Sequence, residues 1–341
     1  MSLRLRLVFF AVGLSLAALV VHQVGIAALA SHLRATGWLL LPVVTVWAVV
    51  YLVDSCAWYT MLGPEASRPG FLRTCAIHIT SFTLNHIIPA GGFGGEGYRV
   101  YALAPWLGRR RAMSAAVQFR LMHSLAHMLF VLVALIPGIF LLPKTLLSAI
   151  VLVVTGLFGA VVAWFLHRRH QEGILEAGLD LLLLIPGVRR LARRLEALRS
   201  TLRDMDDQIT TLYHEHPGRF WGVLGLEFVS RCIMSLELAL IFWGLGLGVR
   251  IPEAFVASAL VTTLINLFFF LPLELGAREG GLYLVFALLG LGPEHGVFAA
   301  VVTRLRELVW TGIGLSLLWV QGEHLPKSPF EGPSSPPTPP A

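Results

Sequence analysis

The chain has 341 residues, of which 56% are hydrophobic and only 13% are charged, and its mean hydropathy is +0.75. A soluble domain carries about 25% charged residues, so this composition excludes an ordinary soluble protein and indicates an integral membrane protein. The net charge of +6 does not indicate nucleic-acid binding, because the arginines cluster between apolar runs, where they set topology and contact anionic lipid. Cys56, Cys75 and Cys232 have neither metal nor redox spacing.

Long apolar runs predict six membrane-spanning helices. They cover residues 7–29, 38–61, 114–136, 146–166, 220–246 and 296–320. The first run follows Arg4 and Arg6 and precedes Ala28-Leu29-Ala30, as a signal peptide would. It is longer than the apolar part of a signal peptide, so we expect a retained helix. We expect the third helix to end before Pro137.

Two further apolar segments, 71–105 and 253–291, contain helix breakers. The first breaks at Pro89 and the glycines after it, and the second breaks at Pro272. Such breaks at membrane depth are tolerated only where the backbone is buried in protein or lines a wet cavity. We therefore predict a re-entrant pair of short helices in each segment. The predicted fold is all-α and polytopic, with about six spanning helices and two re-entrant pairs.

Residues 167–219 hold nine arginines against eight carboxylates and include apolar residues at helical spacing. This pattern predicts one cytoplasmic loop with an amphipathic helix near the lipid headgroups. Residues 326–341 are rich in proline and are predicted to be disordered. The rest, 1–325, is expected to form one transmembrane domain.

The chain contains an internal duplication. A shift of 183 residues, or 184 after one insertion, aligns rare residues in one order: Asp54 with Glu237, Pro89 with Pro272, Glu96 with Glu279, and Arg120 with Arg304. The halves cover about 38–136 and 220–320. Arginine clusters at 4–6, 68–73, 109–111 and 168–219 are expected in the cytoplasm. With the predicted helices, this places the two proline–glutamate motifs on opposite sides of the membrane. Inverted repeats with broken helices are an architecture of secondary transporters.

Glu96 and Glu279 are the leading candidate functional residues. A carboxylate inside an apolar helical region is energetically expensive and usually functional, as a substrate contact or a proton carrier. The alternative is that each caps the short helix that begins beside it. Glycines and prolines around them would permit a tight turn or a close backbone approach: Pro89, Gly94, Gly95, Gly97, Pro272, Gly276 and Gly280. They do not form a convincing phosphate-binding loop, because no strand precedes them.

The arginines of these segments form a second candidate set: Arg99, Arg120, Arg278 and Arg304. A guanidinium fork inside a membrane suits a phosphate or a carboxylate. Internal ion pairs with Glu96, Glu279, Asp54 or Glu237 are an equally good interpretation. Asn85 is a candidate capping or hydrogen-bonding residue. With Asp54, Glu237, the two motif glutamates and the four arginines, it completes a set of nine candidate substrate-binding residues.

Two pairs at i,i+4 spacing complete the candidates. Glu227 and Arg231 would most simply form a local ion pair. His123 and His127 could bind a metal, but no third ligand lies nearby in the sequence, which favours polar helix packing. We predict no metal and no cofactor.

The run from Asn85 through Pro89 to Gly94-Gly95-Glu96-Gly97-Tyr98-Arg99, with the later Gly276-Ala277-Arg278-Glu279-Gly280, resembles a known family. This is the flippase-like family of the transmembrane region of lysylphosphatidylglycerol synthetases. The resemblance covers residues 5–320 and implies translocation of a lipid. Arg99 stands where many relatives have lysine. No soluble aminoacyl-transferase domain follows residue 320, so we do not expect synthesis of lysyl-lipid.

Several functions are compatible with these features. The first is a lipid flippase or scramblase of the cell inner membrane, a multi-pass protein without enzyme activity, whose partner is a phospholipid, hopanoid or polyprenyl-linked lipid. A second is a proton-coupled transporter of a small solute that uses Glu96 and Glu279. A membrane-embedded transferase would need a carboxylate pair or metal set near the headgroups, and none stands out. An accessory role beside a lipid-synthesis enzyme and a homo-oligomer also stay open.

Overall fold

A computed structural model of the chain describes residues 26–88, 94–169, 215–267 and 277–322. Every regular element in these ranges is helical, which confirms the all-α class. Several predicted features lie outside the described residues: most of the first helix, residues 170–214 of the polar loop, both proline–glycine turns with Pro89, Pro272 and Gly276, and the tail.

The described ranges contain nine α-helices and one short 3-10 helix, Gly63–Ser67. The α-helices are α1 (Ile26–Leu62), α2 (Phe71–Ile87), α3 (Gly94–Leu107), α4 (Arg109–Leu141), α5 (Leu146–Arg169), α6 (Pro217–Gly244), α7 (Ile251–Leu267), α8 (Ala277–Leu288) and α9 (Pro293–Gly322). Two stretches of the described residues, Gly37–Ser67 and Arg109–Leu141, are long and apolar enough to cross a membrane.

Two predicted helix ends are wrong. Residues 30–37, expected to separate two spans, continue α1 without interruption. The third predicted helix does not stop before Pro137, because α4 runs through this proline to Leu141. A proline removes one backbone hydrogen bond, but neighbouring helices can hold a membrane helix together past that point. Here Gly138 lies between Leu152 of α5 and Val256 of α7, and its carbonyl accepts from the Leu142 amide at 3.0 Å.

The pattern of contacts between helices in one predicted half is repeated in the other half. Helices α1, α2, α3 and α4 correspond to α6, α7, α8 and α9. Within each half, consecutive helices pack on one another, and α1 packs on α6. Between the halves, α2 packs on α9 just as α7 packs on α4, and α1 contacts α9 just as α6 contacts α4. The packing thus follows the duplication read from the sequence.

Corresponding helices α1 and α6 run antiparallel. Near one end of the pair, the rings of Trp38 and Trp243 meet edge to face with centroids 5.0 Å apart. In the middle, Trp47 Nε1–H donates to Glu237 Oε2 at 2.8 Å. At the other end, Gly63 lies beside the Arg219 guanidinium. We call these the tryptophan end and the arginine end of the bundle.

The two helix pairs α2–α3 and α7–α8 enter the bundle from opposite ends. Helix α2 begins at the arginine end, where the rings of Phe71 and Tyr59 are 5.6 Å apart. Helix α3 returns to that end, where Arg68 Nη1 donates to the Trp106 carbonyl at 2.9 Å. Helix α8 ends near the tryptophan end, with Phe286 packed 5.2 Å from Phe242 of α6.

Two large apolar clusters form these ends. The cluster towards the arginine end includes Trp58, Met61, Leu62, Leu103 and Phe119. The cluster towards the tryptophan end includes Leu39, Ile241, Phe242, Leu282 and Phe286. Close packing of such side chains holds each end together through van der Waals contacts, since lipid tails are as apolar as these side chains. The buried charged side chains of the bundle lie between the two clusters.

Candidate functional site

A cavity of about 260 Å³ lies in the middle of the bundle. All four helices of each repeat half contribute to its wall. The charged residues of the wall are Glu96, Arg99, Arg120, Arg231, Glu237, Arg278, Arg306 and Glu307, with His78, His86 and His123 beside them. The described residues of the wall therefore include five arginines and three glutamates.

Six of the nine predicted binding residues line this cavity: Asn85, Glu96, Arg99, Arg120, Glu237 and Arg278. The other three do not line it: Asp54 and Arg304 each contact a lining residue, and Glu279 pairs with Arg304. Asp54 Oδ2 is 3.9 Å from His78 Nε2. Arg304 pairs with Glu279 at 2.9 Å and with Glu307 at 3.1 Å.

Arg99 is the most enclosed arginine of the first half, with 3% of its surface exposed. Its Nη1 donates to Glu96 Oε2 at 3.2 Å, and its Nη2 lies 3.3 Å from His78 Nδ1. Its guanidinium carbon lies 4.7 Å from the ring centre of Trp58 and 4.9 Å from that of Phe119. Cation–π contacts of this kind orient a guanidinium and strengthen in a desolvated site.

The glycines after the first break allow α3 to approach α2. The Gly95 amide donates to Asn85 Oδ1 at 2.7 Å, so Asn85 binds the first turn of α3. A Cβ at Gly95 would overlap the Ser81 backbone, and one at Gly94 would crowd Ile88. Gly97 and Gly280 face open space, with nothing within 4 Å of an added Cβ. Close approach therefore explains Gly94 and Gly95 but not these other two.

Glu307, which was not among the predicted residues, is the centre of a charge cluster in the second half. Its carboxylate pairs with Arg278, lies 3.1 Å from Arg304 Nη1 and lies 3.8 Å from Arg306 Nη1. His86 Nε2 of α2 is 3.8 Å from the same carboxylate. The available signal was Arg304, Arg306 and Glu307 within four residues of an otherwise apolar helix.

Arg306 was also missed, although its partner Glu237 was a candidate. Arg306 donates to both oxygens of Glu237, from Nε at 3.0 Å and from Nη2 at 3.1 Å. Its guanidinium carbon lies 3.7 Å from the ring centre of Trp47. A bidentate pair of this geometry fixes both side chains.

The sequence did not indicate how Glu227, Arg231 and His123 meet. His123 of α4 lies between the other two, both on α6: its Nδ1 is 2.8 Å from Glu227 Oε2, and its Nε2 contacts Arg231 Nη2. Glu227 and Arg231 are thus joined through a histidine of another helix, where a local pair was expected. His127 instead faces Asn266 of α7, with Nε2 to Nδ2 at 3.0 Å. The two histidines therefore use different partners.

A family model described as the lysylphosphatidylglycerol synthase TM region matches residues 5–314. The chain belongs to this family. No curated protein and no solved structure matches the chain. The resemblance read from the two glycine–glutamate motifs is therefore confirmed, and membership identifies a membrane domain. In this member of the lysylphosphatidylglycerol synthase TM-region family, both motifs lead into helices that contribute to the central cavity.

The chemistry of the cavity favours an anion. Guanidinium groups stay charged and present forked donors that match phosphate and carboxylate oxygens. Five arginines in the described part of the wall present such donors to the cavity. Because Asp54, Glu227 and Glu279 lie beside them with Arg304, it is these forked donors, and not an excess of positive charge, that favour an anion.

Proposed function

We propose that the protein moves a membrane lipid with an anionic or polar headgroup across the cell inner membrane, as a carrier and not as an enzyme. The observation that carries this proposal is the arginine-lined cavity between the two apolar clusters. Pockets for small molecules typically have roughly 300–1,000 Å³, so a cavity of about 260 Å³ suits a headgroup. The acyl chains would stay in the bilayer.

The packing supports an inverted repeat with two re-entrant hairpins. Corresponding helices α1 and α6 run antiparallel, and the pairs α2–α3 and α7–α8 enter from opposite ends. We infer a multi-pass protein in which the hairpins meet at the headgroup site and alternately expose it, as in other transporters with inverted repeats. The arginine end carries Arg68, Arg73, Arg111 and Arg219 and would face the cytoplasm.

Cysteine labelling in membranes tests this orientation. A cysteine replacing Gly92 should react with an impermeant maleimide from the cytoplasm, and one replacing Gly276 should react from outside. Both would be introduced into a chain in which the three natural cysteines are serine. Labelling of both positions from one face would remove the basis for alternating access.

Lipid movement is tested with purified protein in liposomes that contain a fluorescent phosphatidylglycerol, whose headgroup is anionic. An impermeant reductant bleaches the outer leaflet, so loss of the remaining signal reports translocation. We expect Arg99→Gln to slow translocation at least about tenfold, since one charge-assisted contact is worth about 1.5–3 kcal/mol. The matched control is Arg250→Gln, because Arg250 is half-exposed and pairs with Glu253 at 3.7 Å outside the cavity.

A zwitterionic fluorescent phosphatidylcholine gives the substrate comparison. We expect it to move more slowly than phosphatidylglycerol in the same vesicles. Translocation no faster than in protein-free liposomes for every tagged lipid would refute the proposal. Equal loss in Arg99→Gln and Arg250→Gln would refute the assignment of the site.

One observation favours a second candidate, a proton-coupled transporter of a small anionic solute. Two histidines of the cavity wall contact buried carboxylates, His78 with Asp54 and His123 with Glu227. Buried acid–histidine pairs within a membrane are typical of proton pathways. Uptake of a water-soluble phosphate ester into the same liposomes under a pH gradient, without movement of tagged lipid, would support this candidate over the first.

A further inference from the structure

The charged side chains in and beside the cavity form two clusters, each with three acids and three arginines among the described residues. One cluster lies on α6, α8 and α9: Glu237, Glu279, Glu307, Arg278, Arg304 and Arg306. The other lies on α1, α3, α4 and α6: Asp54, Glu96, Glu227, Arg99, Arg120 and Arg231. Each cluster is therefore electrically balanced while its histidines are neutral. An anion that enters the cavity disturbs this balance by one negative charge.

The acids of the two clusters have different partners. Glu237 and Glu307 each accept hydrogen bonds from guanidinium groups at both oxygens. Glu227 is fully buried and has His123 Nδ1 at 2.8 Å from its Oε2, whereas its Oε1 has no donor among the described residues. Asp54 Oδ1 also has no donor there. A buried carboxylate oxygen without a donor is costly, and a proton bound to the carboxylate lowers this cost.

The position of the proton on His123 follows from its neighbours. A guanidinium can only donate, so the ring nitrogen that faces Arg231, Nε2, is the acceptor. The ring proton is then on Nδ1, which donates to Glu227. In this arrangement the neutral imidazole lies between an arginine of the cavity wall and a buried acid. Another proton can bind Nε2 only after Arg231 has moved away from it.

His78 is placed in the same way between Arg99 and Asp54. Its Nδ1 lies 3.3 Å from Arg99 Nη2, so its proton is on Nε2, which is 3.9 Å from Asp54 Oδ2. Asp54 in turn interacts with the Ser230 hydroxyl and with the charge of Glu227. Two carboxylates repel each other strongly in a medium of low dielectric constant, and one proton on either of them removes this repulsion.

We infer that Asp54 and Glu227 form a proton-binding site, and that one proton is taken up there with each anion that binds in the cavity. The anion draws Arg231 away from His123, and the freed Nε2 accepts a proton from the aqueous side to which the cavity is open. The proton on Nδ1 passes to Glu227 Oε2. The added proton offsets the added negative charge, so the cluster is again balanced. His123 now carries its proton on Nε2 and can no longer accept from Arg231, which stays with the anion until the proton leaves.

That the anion is a lipid headgroup rests on the proposed function, for which the proton gradient would then supply the driving force. Charged and titratable groups of each helix around the site act on it: Asp54 of α1, His78 of α2, Glu96 and Arg99 of α3, Arg120 and His127 of α4, and Arg231 of α6. The arginines keep their charge at physiological pH. They stabilise the charged acids while the cavity is empty, and an anion beside Arg231 weakens this stabilisation.

The first experiment counts protons in detergent solution. The probe is dimethyl phosphate, a phosphodiester monoanion that does not titrate near neutral pH, and a pH-indicator dye reports proton uptake in weakly buffered solution. We expect about one proton per bound anion in the wild type, with affinity falling by up to about tenfold per unit rise in pH. Glu227→Gln should bind the probe without proton uptake and independently of pH. Trimethyl phosphate is the uncharged control ligand, and Glu253→Gln, outside the cavity, is the control variant.

The second experiment uses liposomes with a pH gradient and fluorescent phosphatidylglycerol. One anionic headgroup and one proton move together without net charge, so the lipid should accumulate in the leaflet on the alkaline side. The ratio between leaflets should approach about tenfold per pH unit and should not respond to a membrane potential. His123→Gln, which cannot pass a proton on, should not accumulate lipid. The control is His295→Gln, because His295 pairs with Glu294 at 3.9 Å outside the cavity.

The measurements on the wild type decide the inference even if a variant does not fold. Anion binding without proton uptake, no anion binding at all, or equal uptake in the wild type and a folded Glu227→Gln would overturn it. Tagged lipid that moves but ignores the pH gradient would also overturn it and leave the proposed function intact. If dimethyl phosphate binds with a proton but no tagged lipid moves in liposomes, the proposed function fails and the proton site stands.

Discussion

The pair of Arg306 and Glu237 allows a quantitative prediction. Both side chains are almost fully buried, and Glu237 has three donors: two from Arg306 at 3.0 and 3.1 Å and one from Trp47 at 2.8 Å. The change Arg306→Met keeps much of the side-chain volume but leaves the carboxylate with only the indole N–H. We expect this variant to be strongly destabilised.

The size of the loss in stability distinguishes two causes of the destabilisation. Leaving a buried carboxylate unpaired costs about 3–5 kcal/mol, whereas losing the guanidinium above Trp47 removes roughly 0.5–2 kcal/mol. The double variant Glu237→Gln/Arg306→Met carries no charge, and glutamine can still accept from Trp47. We therefore expect it to lose only about 1–2 kcal/mol, so that the second change recovers roughly 2.5–5 kcal/mol of stability.

Unfolding in mixed micelles, followed by tryptophan fluorescence as dodecyl sulfate is titrated, measures these differences. Arg250→Met, at a half-exposed arginine, serves as control and should change the unfolding free energy by less than about 1 kcal/mol. A double variant as unstable as Arg306→Met would assign the loss to packing on Trp47 and refute the electrostatic explanation. A double variant that is stable but no longer moves lipid would indicate that the pair of Arg306 and Glu237 acts on the substrate as well as on stability.

Two further predictions concern the glutamate motifs. Gly95→Ala should destabilise the protein by about 1–3 kcal/mol, because the new methyl group overlaps the Ser81 backbone. Gly97→Ala, which adds a methyl group in open space, should be neutral or slightly stabilising in the same unfolding assay. Similar losses of stability in both variants would contradict the close approach of α3 to α2. Glu96→Gln and Glu279→Gln should each abolish lipid movement in liposomes while leaving the protein folded, and the double variant should lose little more. Wild-type rates in both single variants would reduce these residues to helix caps.

Much of the helical architecture could be predicted because each helix is encoded locally. Apolar runs and helix breakers place most of the helix ends within a few residues, as for the predicted span 220–246 and the observed Pro217–Gly244. The helix ends that were predicted wrongly depend on neighbouring helices. Helix α4 continues past Pro137 because the next turn, at Gly138, packs against α5 and α7.

The site was only partly predictable, because a polar residue stands out in an apolar chain mainly when it occurs in both halves. Arg120 with Arg304, Glu96 with Glu279 and Asp54 with Glu237 stand out in this way. Glu307 does not, because its counterpart in the first half is a histidine. The contacts of His86 with Glu307 and of His123 with Arg231 join opposite halves, and no spacing within either half encodes them.

The exchanged packing of the halves has an evolutionary consequence. Helix α2 packs on α9 and α7 packs on α4, so each half supplies the surface that covers the hairpin of the other. An ancestral chain of one half would bury these surfaces only by pairing with a second copy in the opposite direction, as a dual-topology homodimer. Identical subunits would carry every substitution twice, whereas duplication and fusion would free each half to diverge, as at Glu307 and His123.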